Sequence, residues 1–164
     1  MRRLIVMVAL LAGLAVPAAL QASPGDGTLV VKKGEAPAGV PVVVLTVTGS
    51  VIGHIDYGKI VIDAGPNPDA VPQVVGAGRP GDSARSDTAQ VWKGTDFTFR
   101  AVGGRFVILI YGSGVNVVAA GKGTVRLAGL PDTPHGDGVY SLNGNDFLSL
   151  PGVPTDKLTI GANG

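Results

Sequence analysis

The stretch Phe97-Thr98-Phe99-Arg100-Ala101-Val102-Gly103-Gly104-Arg105-Phe106-Val107-Ile108-Leu109-Ile110-Tyr111-Gly112-Ser113-Gly114 decides the fold class. Its first part alternates. Phe97, Phe99 and Ala101 fall on one face of an extended chain, Thr98 and Arg100 on the other. That pattern gives a strand with one wet face. Residues 106–111 are apolar on both faces, as in a strand covered on both sides. Gly103-Gly104 and Gly112-Ser113-Gly114 read as tight hairpin turns, because glycine supplies the positive φ such turns need.

The same grammar extends outward. Short β-branched runs at 28–33, 41–48, 50–56, 59–63, 89–93, 115–119, 124–128 and 139–142 read as further strands. Gly121-Lys122-Gly123 reads as another turn, and in residues 124–128 Val125 and Leu127 oppose Thr124 and Arg126. Residues 42–47 resemble 106–111 in being apolar on both faces. Asn143-Gly144 marks a hairpin within 141–148. Residues 64–87 hold Pro66, Pro68, Pro72 and Pro80 and read as a long loop with a short edge strand at 73–75. The tail, 160–164, reads as frayed. The expectation is an all-β, antiparallel β-sandwich or partly closed β-barrel of about eight to ten Gly-turned strands. No substantial helix is expected after the leader, and a β-helix is the minor alternative.

Residues 49–59 and 112–122 carry a repeated signal. Gly49-Ser50 precedes Gly58-Lys59 by the same step as Gly112-Ser113 precedes Gly121-Lys122. Two hairpin-bearing halves packed as pseudo-symmetric sheets would produce it, and so would the resemblance of any two Gly-rich turns.

Composition bounds the function. The chain has 164 residues, with 26 Gly, 12 Pro, no Cys and 13 Lys+Arg against 12 Asp+Glu. Arg2 and Arg3 precede an apolar run over 4–16, Pro17 ends it, and Leu20-Gln21-Ala22 suits cleavage. Residues 1–22 therefore read as a signal peptide and 23–164 as one β-rich domain. Removing the leader takes two cations and no acid, so the formal charge of +1 becomes −1. That excludes the basic footprint of a nucleic-acid binder and gives no polybasic membrane patch. The localisation expected is secreted or cell envelope, with an envelope or extracellular partner and no membrane insertion after cleavage. Without Cys there are no disulfides and no thiol chemistry.

Several motifs suggest chemistry. Gly81-Asp82-Ser83 with Asp132 and His135 resembles the Gly-Asp-Ser and Asp-x-x-His blocks of the SGNH esterases. That resemblance implies Ser83 as nucleophile and His135 as base, oriented by Asp132. Yet Ser83 lies mid-chain in a loop with no helix behind it, and a nucleophile without a rigid seat is not preorganised. Residues 53–59 (Gly53 to Gly58-Lys59) resemble a P-loop, but Ile60 replaces the Mg²⁺-binding hydroxyl and a strand follows instead of a helix. Residues 130–134 (Leu130-Pro131-Asp132-Thr133-Pro134) resemble a sortase signal but end in Pro, with no anchor segment behind. Both His lie in His-x-Asp, so His54 and Asp56 share a strand face. With His135 and Asp137 brought close they would make a divalent-metal site for zinc or manganese. Val51, Ile55 and Tyr57 are then assigned to the core. Trp92 is the one candidate for stacking a ligand ring, set against the commoner role of core filler. The best reading is an exported, non-catalytic structural or binding module without a cofactor. The alternatives are a metal- or Ser-dependent hydrolase and a carrier of a small apolar ligand.

Overall fold

The computed structural model describes residues 24–66, 70–78, 88–131 and 138–161. These residues contain no helix. They form one antiparallel sheet of eight strands: β1 (Gly27–Gly34), β2 (Val43–Asp63), β3 (Gln73–Val75), β4 (Ala89–Ser113), β5 (Val115–Leu127), β6 (Val139–Leu142), β7 (Leu148–Ser149) and β8 (Leu158–Ile160). The expected all-β antiparallel class is observed.

The strands are longer than the expected short segments. β2 runs for 21 residues and β4 for 25. They pair along almost their whole length, from Val43 opposite Ile110 to Asp63 opposite Ala89. One slip occurs: Gly49 faces Gly104, but Ser50 faces Val102. Gly103, at φ 78, is the extra residue. This is a β-bulge with glycine in the left-handed region, and it bends the ribbon without ending it. The expected turn at Gly103-Gly104 is thus a bulge inside a strand. Gly121-Lys122-Gly123, likewise expected as a turn, lies inside β5, and Gly58-Lys59 lies inside β2.

The other edge of β2 explains the third expected turn. There β2 pairs first with β5, from Val43 opposite Leu127 to His54 opposite Asn116. It then pairs with the end of β4, from Tyr57 opposite Ser113 to Asp63 opposite Val107. The chain thus accompanies β2 in one direction through Gly112-Ser113-Gly114, with only Gly114 outside a strand. As a result residues 107–110 pair with both ends of β2: Ile110 faces Val43 on one edge and Ile60 on the other. The sheet folds over on itself in a sandwich-like arrangement and does not close into a barrel. Residues 106–111 are central in the pairing, but only one face is fully covered: Phe106, Ile108 and Ile110 are buried, while Val107, Leu109 and Tyr111 are half-buried.

The inner face carries the core. Leu29, Leu45, Ile55, Ile60, Phe97, Phe106, Ile108, Ile110 and Leu127 are fully buried or nearly so. Phe97, Phe99 and Ala101 point inward as their alternation requires, as do Val125 and Leu127. Tyr57 does not: it is 58% exposed, against its expected core position. The alternation changes phase here, with Asp56 and Tyr57 both exposed and Gly58 and Ile60 buried. Across the ladder Asp96 takes φ 51 at the same level. Both strands twist past each other at this corner, and a strict two-residue period cannot survive it.

β1 lies between β5 and β6, with Leu29 opposite Ala119 and Leu142. β6 and β7 pair around Asn143 (φ 54) and Gly144 (φ 76), with Asn145 N–H donating to Leu142 O at 3.1 Å. Two successive positive φ values define the type I′ hairpin expected of Asn-Gly. β3 is the edge strand expected at 73–75. Of the tail expected to fray, Ile160 is buried and its strand pairs with β5, while residues 162–164 lie outside the described residues.

Candidate functional site

The outer face of the sheet is not uniformly polar. Ladder register places Gln73, Arg100, Ile52, Val118 and Val30 in one row across β3, β4, β2, β5 and β1. Residues directly opposite in antiparallel strands project to the same face, so this row is a continuous strip. Ile52 is 39% and Val118 37% exposed, large apolar side chains turned to water. A second row follows two residues along, Asn116, His54, Thr98 and Val75, and Lys32 lines the groove beside it where the β1–β5 register breaks. Together the two rows line a groove of about 620 Å³. No carboxylate lines it, while Arg100 and Lys32 do. Its size is that of a small-molecule site.

Local chemistry shapes the groove at β1. Lys33 takes φ 53, and the β1–β5 ladder shifts between Val31 and Gly34. The Lys33 N–H donates to Asn116 Oδ1 at 3.1 Å, and Asn116 Nδ2 donates to the Gly114 carbonyl at 2.9 Å. Asn116 thereby pins both the β1 bulge and the β4–β5 junction. Lys32 turns its ammonium over the Phe147 ring, 4.5 Å from the centroid.

At the second row the structure unites His54 with Asp56, as the His-x-Asp spacing predicts, and adds Asp96 from β4. His54 Nδ1 lies 3.3 Å from Asp56 Oδ1, and Nε2 lies 2.8 Å from Asp96 Oδ1. The ring serves both carboxylates at once when it donates from both nitrogens. A metal ion would have to displace one carboxylate to reach a ring nitrogen. Among the described residues, no group of three His, Asp or Glu is arranged to hold a metal. His135, Asp137, Asp132 and Ser83 lie outside the described residues. Trp92 is 5% exposed and belongs to the core, opposite Ile60.

Sequence reading missed Asp96, Arg100, Ile52 and Val118 as site residues. The outward direction of Arg100 is legible from alternation. Its placement beside Ile52 and Val118 depends on register between distant strands. Comparison with known protein families, with curated proteins and with solved structures gives no match. Fold and groove together define a class: an all-β protein with one antiparallel sheet folded over on itself and a largely apolar groove across its outer face.

Proposed function

We propose that the chain is an exported, non-catalytic binding module that takes up an elongated, mainly apolar ligand in the groove across β1, β5, β2, β4 and β3. The observation that carries this reading is the outer row Ile52–Val118–Val30. These three side chains stand together on the face that alternation reserves for polar residues, and they gain nothing for the core. The inner face is filled by Phe97, Phe99 and Phe106, so a carrier role belongs to the outer groove and not to an internal cavity. Export rests on the leader pattern of residues 1–22. The residual charge of −1 after its removal suits an envelope or extracellular partner better than a nucleic acid.

The test is titration of a neutral apolar fluorophore, N-phenyl-1-naphthylamine, into the protein. Emission is expected to rise and saturate. Ile52→Glu sets a charge on the apolar floor and is expected to weaken binding by about tenfold or more. Unchanged binding in that variant would overturn the reading.

A further inference from the structure

Along the row Gln73–Arg100–Ile52–Val118–Val30, polar side chains stand at one end only. Arg100 has no ion pair, hydrogen bond or ring contact with any described residue. Gln73 stands directly opposite it, exposed, on the same face. A guanidinium offers a planar fork of donors, and a primary amide adds two more. From Arg100 the row continues over Ile52 and Val118 to Val30, with no further charge. Three strand spacings separate Arg100 from Val30, roughly 14 Å. Lys32, the other lining cation, is drawn toward Phe147. His54 is engaged by Asp56 and Asp96. Arg100 is therefore the cation left for a ligand, and it sits at the head of an apolar track.

Resting on the groove reading, we propose that the ligand is a single-chain amphiphile with an anionic head group. The head is held by Arg100 and Gln73, and the tail lies over Ile52, Val118 and Val30. A neutral hydrocarbon would use the track but leave the guanidinium idle. A polyanion would meet one free cation and a long apolar strip. Only a molecule with both characters in this order matches the row. Carboxylate and phosphate heads present the same acceptor chemistry to Arg100.

The test is isothermal titration of the full chain with dodecanoate, dodecyl phosphate and dodecanol. The two anions are expected to bind roughly five- to tenfold more tightly than the alcohol. Arg100→Gln is expected to bring them down to the alcohol's level. Arg126→Gln, which removes an exposed cation of β5 outside the groove, is expected to change none of the three. Preference for dodecanoate would assign a fatty acid, and preference for the phosphate a phospholipid fragment; both support the proposal. Equal binding of the alcohol and the anions, untouched by Arg100→Gln, would overturn the head-group assignment and leave the groove reading standing. If none of the three binds, both fall.

Discussion

Gly49 of β2 and Gly121 of β5 face each other across the ladder, and neither position has room for a side chain. A Cβ on Gly49 would fall against the Ala120 carbonyl oxygen, and one on Gly121 against that of Thr48. Both residues hold left-handed φ, 151° and 147°. Gly58 and Gly112 repeat the arrangement further along β2. The duplicated Gly-Ser…Gly-Lys signal has its explanation here. The first glycine of each copy pairs with the second glycine of the other, so the two copies are partner strands and not two separate hairpins. These contacts allow the backbones to approach where the sheet bends over itself.

Gly121→Ala is expected to cost about 3 kcal/mol or more, because backbone strain and a collision with a carbonyl add together. Gly103→Ala also meets a positive φ, but nothing lies within 4 Å of its Cβ, so about 1–2 kcal/mol is expected. Urea unfolding of the two variants measures the difference. Equal costs would mean that close approach is not what requires glycine at position 121.

Core and groove residues separate in a stability assay. Ile110 is fully buried and pairs with both ends of β2, so Ile110→Ala is expected to cost about 2–5 kcal/mol. Val118→Ala, on the outer face, is expected to cost less than about 1 kcal/mol. A large loss at Val118 would make the outer row a packing surface and remove the argument for a ligand.

Asn143 does two jobs. It occupies the first left-handed position of the β6–β7 turn, and its amide clamps the tail. Asn143 Nδ2 donates to the Thr159 carbonyl at 3.0 Å, while the Gly161 N–H donates to Asn143 Oδ1 at 3.0 Å. Asn143→Ala is expected to cost about 1–2 kcal/mol and to speed hydrogen exchange at Gly123 and Val125, which face β8. Exchange that stays unchanged at both amides would show that the tail is held without this clamp.

The rival metal reading has its own test. It requires His135 and Asp137 to join His54 and Asp56. With both ring nitrogens of His54 on carboxylates, added Zn²⁺ is expected to leave the thermal midpoint where it was. A midpoint that rises with Zn²⁺ concentration and loses that response in His54→Ala would establish a metal site.

Much of the fold is legible in local pattern. Phe97, Phe99 and Ala101 alternate cleanly because a half-buried strand imposes a two-residue period. The apolar run 106–111 marks a strand paired along both edges, and Asn143-Gly144 admits few conformations other than a tight turn. The glycines are where local reading stops. Positive φ at glycine serves a hairpin turn and a bend inside a continuous strand equally well. The partner decides between them, and Gly121 has its partner in a distant part of the chain. The same holds for the site. Asp56 is adjacent to His54 by spacing, but Asp96 reaches it across 42 residues. Tyr57 escapes because the corner resets the alternation that assigns it inward.

The proposed ligand lies on the outer face of the sheet, along the row from Arg100 to Val30. Backbone amide shifts in a ¹H–¹⁵N correlation spectrum, followed while dodecanoate is added, test this placement most directly. Saturable shifts are expected to cluster at Val30, Ile52, Arg100 and Val118, with the buried Ile108 and Ile110 still. Shifts spread over the whole surface, or centred on the hairpin at Asn143-Gly144, would contradict it.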